Sequence, residues 1–272
     1  MNVNHNQAMK PFYYAAIAGL ALFTACQKNS STVYNGNNGD KLFKTVRTSE
    51  EIGDTLVTMY YFNNQGLDSA EVCTTISNSG SADLYSRIFE YDADGKLAKL
   101  SYTSNGQITQ SYTFNRDVNG RIVKCNVNPA GSGLTYAYAY NSSNQVIADT
   151  IYANDGQLAG YRTYGYDSKG NQVNQETFTG YYHPIQSDGT FIWKFDDKIN
   201  PYSVAGFHEA LLAMDWTQML SPNNATGEYA GTEIANIPSA YQYNSSGYPT
   251  SYSAKYLEGT TWYTDKQEFY YR

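Results

Sequence analysis

Cysteine, histidine and positive charge are all scarce in this 272-residue chain. Three Cys are too few to frame a disulfide scaffold or a cysteine-rich zinc domain. The 18 Lys and Arg are outnumbered by 25 Asp and Glu, for a net charge of −7. That balance argues against a nucleic-acid binder, which needs a basic surface to displace condensed counterions. No apolar run is long enough for a helix to cross a bilayer, which excludes a helical membrane bundle. No Gly-x-Ser-x-Gly elbow, phosphate loop or dinucleotide fingerprint is present. His208-Glu209 begins like the helical zinc-protease motif, but Leu212 stands where the second His must be. His183 precedes Pro184 in a loop and suggests no role. The expectation is therefore no catalytic residue, no metal ligand and no cofactor.

The N-terminus carries the clearest signal. Lys10 is the only charged side chain before Cys26, and an apolar stretch follows it from Phe12 to Phe23. As a helix this stretch reaches about 18 Å, short of the roughly 30 Å hydrocarbon core. It reads as a signal-peptide core and not as a span. Thr24-Ala25-Cys26 then looks like a bacterial lipobox, with Phe23 where an aliphatic residue is usual. Acyl chains on Cys26 give stable membrane anchoring, since two chains hold far better than one. The division read here is a signal peptide at 1–25, a lipid-anchored tether at 26–40 and one β domain at 41–272. Residues 27–40 are Asn-, Gly- and Ser-rich, with too little apolar surface to order themselves. The expected location is the bacterial cell envelope at the outer membrane, periplasmic or surface-facing.

A repeat fills the rest. Tyr60-Tyr61-Phe62-Asn63-Asn64-Gln65-Gly66 is echoed by Phe89-Glu90-Tyr91-Asp92-Ala93-Asp94-Gly95. The pattern returns near Phe114, at Tyr138-Ala139-Tyr140-Asn141, at Tyr164-Gly165-Tyr166-Asp167, at Trp193-Lys194-Phe195-Asp196 and at Tyr241-Gln242-Tyr243-Asn244. The formula is aromatic-x-aromatic, Asp or Asn, two variable residues, then Gly. Rings at i and i+2 share one face of a strand. Asp or Asn opens a turn, and Gly supplies its positive φ. Turn signals at this spacing predict a meandering, strongly curved antiparallel sheet of β-hairpins with roughly 14 strands. An open sheet, a closed barrel and two layers all remain open. Between Pro201 and Pro222 the rhythm breaks, and Phe207, Leu211 and Met214 mark one helical face. A single helix is predicted over about 206–220, covering part of a sheet face or edge.

Tyr91-Asp92-Ala93-Asp94-Gly95-Lys96-Leu97 resembles the YD repeat of RHS-type bacterial surface and toxin-encapsulating proteins. The runs Phe195 to Pro201, Ser221 to Asn224 and Tyr243 to Thr250 resemble Bacteroides-type lipoproteins that carry a YD-repeat-like domain of unknown function. Two positions depart from the pattern: no Gly closes the turn after Asn141, and Ala225 follows Asn224 where Pro is expected. The resemblance implies a cell-envelope β protein with a part in glycan handling, and it transfers no catalytic residues.

The carboxylates suggest little chemistry by themselves. Asp92-Ala93-Asp94-Gly95 starts like a calcium loop, but no ligand series follows. Asp196 and Asp197, adjacent in a strand, point to opposite faces and cannot act together as acid and base. Cys125 alternates with Val123 and Val127, whereas Cys73 alternates with Glu71 and Thr75, which suggests opposite faces; an oxidising compartment would allow a bridge, and the pairing stays open. Rings beyond the paired repeat positions, Tyr181, Tyr182, Tyr202, Trp262 and Tyr263, are the candidate ligand-binding residues. They suggest a non-catalytic module that stacks on a neutral glycan or docks an envelope protein. The alternative is a secreted glycan-processing hydrolase whose carboxylates the sequence does not pair.

Overall fold

The computed structural model describes residues 41–272 apart from 52, 81, 129–132, 181–184, 205–207, 214–216, 231–232 and 259–260. Cys26, the tether, Tyr181, Tyr182, His183 and the helical positions Phe207 and Met214 thus lie outside the described residues. The first eight strands are β1 (Leu42–Ser49), β2 (Thr55–Phe62), β3 (Asp68–Ile76), β4 (Ala82–Tyr91), β5 (Leu97–Ser104), β6 (Gln107–Arg116), β7 (Ile122–Asn128) and β8 (Thr135–Tyr140). The second eight are β9 (Val146–Tyr152), β10 (Leu158–Tyr166), β11 (Gln172–Thr179), β12 (Gln186–Ile199), β13 (Asn223–Ala230), β14 (Glu233–Tyr243), β15 (Pro249–Glu258) and β16 (Thr261–Tyr271). Each pairs antiparallel with its sequence neighbours, and β1 pairs with β16, so the sheet closes into a 16-stranded barrel. The sequence reading fell two strands short and left closure open.

The repeat formula builds one rim. In six turns the Asp or Asn side chain accepts the N–H groups two and four residues on; Asp92 takes those of Asp94 at 3.0 Å and Lys96 at 2.8 Å. Asn63, Asp117, Asn141, Asp167 and Asn244 do the same. The fourth position has positive φ each time. Five of the six are Gly, and Asn144 at φ 62° fills the turn that lacks one. Asn tolerates this region better than other side chains.

A Tyr just before three of these turns, and Tyr271 at the end of β16, share a further task. Tyr140 donates its hydroxyl to the Ile122 carbonyl at 2.6 Å, and Tyr166 donates to Val146 at 2.7 Å. Tyr91 reaches Asp68 and Tyr271 reaches Pro249 in the same way. Each acceptor is the first residue of the strand that leaves the preceding turn, so every such Tyr ties its hairpin to the one before. Burial pushes the phenols of Tyr140 and Tyr166 up to about 12, which keeps them donors at any physiological pH.

The seventh turn is where the rhythm breaks. Asp196 still accepts the N–H of Lys198 at 2.9 Å, but also that of Asn224 at 3.2 Å, across an excursion. The excursion holds α1 (Pro201–Val204), α2 (His208–Ala213) and a 3-10 turn at Thr217–Leu220. Among the described residues of 206–220, where a single helix was expected, α2 and the 3-10 turn are helical. They do not cover an outer face; they fill one end of the barrel. Leu211 packs with Leu42, Phe89, Leu97 and Leu100, while Leu212 packs with Ile122, Val146 and Tyr164. Glu209 is the latch. It accepts the Leu97 N–H at 2.8 Å and pairs with both terminal nitrogens of Arg116 at 2.7 and 2.9 Å. Arg116 also donates to the carbonyls of Leu97 and Gly120.

Cys73 and Cys125 are both buried and free, on β3 and β7. Cys73 faces inward beside Thr58 and Tyr85 in the register, so the opposite-face reading was wrong. The inward face is itself partly polar, which is why Glu71 and Thr75 misled the alternation.

Candidate functional site

A 16-stranded barrel is wide enough to enclose an aqueous lumen. Toward the rim of repeat turns, Leu42, Leu97, Leu100, Ile122 and Val146 are buried against the helical insertion. Toward the other rim, inward residues such as Leu56, Thr75, Tyr85, Tyr136, Phe191 and Tyr263 are only half-buried. The lumen is thus a cup with its floor at the plugged end. Tyr60 and Tyr202 belong to that floor, with hydroxyls 3.3 Å apart and rings edge to face at 6.3 Å.

Three Arg–carboxylate pairs are set into the wall. Arg47 donates Nε to Asp265 at 3.0 Å and also binds it through Nη2. Arg87 pairs with Glu71, and the rings of Tyr85 and Tyr102 each lie 5.7 Å from its guanidinium carbon. Arg162 binds both oxygens of Asp149 at 3.1 and 2.8 Å, and Tyr164 donates to the same carboxylate. With Arg116, the inward cations named here are all Arg. The outward ones, Lys99, Lys124, Lys194, Lys255 and Lys266, are all Lys. A planar, weakly hydrated guanidinium suits a partly desolvated wall, and a strongly hydrated ammonium suits solvent. These pairs neutralise each other, and Asp83 and Glu228, which face inward by register, give the wall an acidic excess.

Asp68 lies deeper, fully buried near Glu71. Burial first, then the neighbouring Glu71 carboxylate, raises its pKa well above the usual carboxylate range. Glu71 is occupied by Arg87, which leaves this couple no reach to a substrate.

The five candidate rings separate. Tyr202 does not project as a free binding ring; it is packed into the floor and also receives a hydrogen bond from Gln267 Nε2 at 3.2 Å. Trp262 and Tyr263 do not sit in a connection, because β16 already begins at Thr261. As consecutive strand residues they face opposite sides. Trp262 points outward, 46% exposed, and Tyr263 points inward in line with Asp265 and Gln267. Sequence reasoning missed Arg47, Asp265 and Gln267, since closure of β1 on β16 alone brings them together.

The outer wall is divided. Tyr61, Ile76 and Ile88 make β2–β4 an exposed apolar flank. Elsewhere Lys99 pairs with Glu90 at 3.0 Å, and Lys194 lies 4.8 Å over the Tyr229 ring. An outer groove of about 470 Å³ crosses β7–β9, but small residues such as Thr135 and Ala137 line most of it, with Tyr152 as its one ring.

Fold and site together define a closed, end-plugged antiparallel β-barrel of the cup type. A porin-like protein from Bacteroides uniformis shares this fold, with a TM-score of 0.60 over 85% of this chain and 98% of that one, at 13% identity. A second solved structure, of TcdB2-TccC3-TEV, aligns with 76% of this chain and 12% of its own at 14% identity, but its TM-score of 0.23 carries no argument. No family model and no curated protein matches the chain.

Proposed function

We propose that this chain is a non-catalytic, lipid-anchored binding module of the bacterial outer membrane, of the YD-repeat-like lipoprotein type, which holds a neutral glycan. The observation that carries the reading is the cup: a lumen floored at one end, lined with rings and with arginines already paired to carboxylates. Such a lining offers apolar faces and a few oriented polar groups, the usual composition of a small-ligand site. It gives no positive field to attract a phosphorylated or sulfated polymer, and the acidic chain would repel one at low salt.

Anchoring through Cys26 sets the barrel beside the bilayer and not across it. Outward Lys124, Lys194, Lys255 and Lys266 are exposed in mid-wall. On a lipid-facing surface each costs about 2–4 kcal/mol at the midplane. The β1 strand starts at the plugged end, so the tether would hold that end toward the membrane and leave the mouth free.

Two measurements test the reading. Cys26→Ser should release the protein from membranes; sedimentation of the variant with membranes after a high-salt wash would refute the anchor. A neutral-glycan array followed by titration calorimetry should find a binder, and none at millimolar concentration would refute the glycan role.

A further inference from the structure

The choice between inner and outer wall can be made from β16 and β1. Along the inward face of β16, Tyr263, Asp265 and Gln267 succeed one another from the mouth toward the floor. Arg47 lies opposite Gln267 across the β1–β16 seam, and Tyr252 lies opposite it on β15. The Arg47 side chain is 44% exposed although Asp265, at 8%, is buried behind it. Asp265, level with Ser49 and one step nearer the mouth than Arg47, therefore draws the guanidinium toward the mouth while its outer part remains accessible to the lumen. Gln267 is itself held, through Nε2, by the Tyr202 hydroxyl of the floor. The result is a column with a ring at the top, a planar donor fork beneath it and an oriented amide below that.

We propose that this column, formed by Tyr263, Arg47 and Gln267 and braced by Asp265 and Tyr202, is the site that takes one sugar ring of an uncharged oligosaccharide inside the barrel. The inference rests on the glycan-binding reading and deepens it by placing the site. A pyranose presents an apolar C–H face that stacks on an aromatic ring, with hydroxyls around its edge that accept from donors held in a plane. Tyr263 supplies the face. The Arg47 fork and the Gln267 amide supply the edge, already oriented before the ligand arrives, so little ordering entropy is lost on binding. The charge of Arg47 is balanced by Asp265, which favours neutral sugars over uronic acids.

Adjacent Trp262 gives the control, because it is a large exposed ring one residue away on the other side of the same wall. Calorimetric titration of the full barrel with maltopentaose, cellopentaose, chitopentaose and mannopentaose identifies which is bound. For that sugar, Tyr263→Ala should weaken binding about tenfold, the loss of one stacked ring. Arg47→Lys keeps the charge and loses the fork, and should weaken it by a similar factor. Trp262→Ala should change it less than about twofold. Ser49→Trp places bulk in the mouth opposite Asp265 and should abolish binding, with thermal melts confirming that each variant is folded. Binding lost in Trp262→Ala and retained in Tyr263→Ala and Ser49→Trp would overturn the lumen site while leaving the glycan reading in place. No binding of any of the four by the unmodified protein would overturn both.

Discussion

The two rims of the barrel are made differently. At the plugged rim, six turns of one design, a helical insertion in a seventh and the paired chain ends form an almost eightfold ring. Leu97, Ile122, Val146 and Leu211 are buried there, and three of the hairpins are tied to the one before by a Tyr hydroxyl. At the mouth, the connections share no formula and the inward side chains keep contact with solvent. Stability is thus concentrated at one end and access at the other. A repeat can specify a scaffold at its closed rim without constraining what the open rim presents, the usual division between a rigid frame and a recognition surface.

The sharpest way to break this comparison is to remove matching bulk from both ends. Phe89→Ala, in the core beside Leu211, should cost about 3–5 kcal/mol, and Phe191→Ala, near the mouth, less than half of that. Equal losses in urea midpoint would show that the mouth is as much a core as the floor. Next comes the turn backbone. An added Cβ at Gly120 would meet nothing nearer than Lys96 Cε at 4.0 Å, so Gly120→Ala isolates the cost of holding φ at +78°. That cost should be about 1–2 kcal/mol by the same measurement. Tyr140→Phe deletes one inter-hairpin tie and leaves the ring; a loss of about 0.5–1.5 kcal/mol is expected, and none would demote the tie to mere packing.

The smallest effect concerns pH. Desolvation raises the Asp167 pKa, but the Asn171 amide and the N–H groups of Asn171, Lys169 and Gly170 outweigh it and hold the carboxylate below its ordinary 3.8. A depressed folded pKa adds stability that is whole above 3.8 and disappears as pH falls through the folded value. Asp167→Asn should therefore melt below the unmodified protein at neutral pH, with the gap closing as the solution is acidified below that point. A gap independent of pH would assign the effect to geometry alone.

Local features were legible in the sequence where local physics decides them. Asp92, Gly95 and their counterparts announce the turns, and Tyr136, Tyr138 and Tyr140 announce a strand with one aromatic face. The insertion was placed correctly between Pro201 and Pro222, but not its form. Leu211 and Leu212 each belong to a different core cluster, so both sides of α2 are buried and a one-faced pattern could not describe it. The site was hidden for another reason. Inward charges such as Glu71, Arg87 and Arg47 look like solvent-facing positions, because a wide lumen lets both sides of a strand be polar. Trp262 and Tyr263 were singled out together by composition; the strand's period of two separates them.

Of the sixteen ladders, one is unlike the rest. Fifteen join strands that follow one another along the chain, but Arg47 meets Asp265 across 218 residues, and the Lys41 and Arg272 backbones exchange two bonds of 3.0 Å. Closing a loop of that length costs about 4–5 kcal/mol in chain entropy, against about 1 kcal/mol for a hairpin turn. The order of assembly follows: hairpins zip in series, and the β1–β16 seam forms last. Until it does, two edges with unpaired amides face the solvent, which is the interval in which this chain is most exposed to pairing with a neighbour. In pulse-labelled hydrogen exchange, the seam-side amides of β1, in line with that of Glu50, which bonds to the Thr264 carbonyl at 3.1 Å, should be the last in the sheet to gain protection, after the hairpin-side amides in line with that of Ser49, which bonds to Asp54.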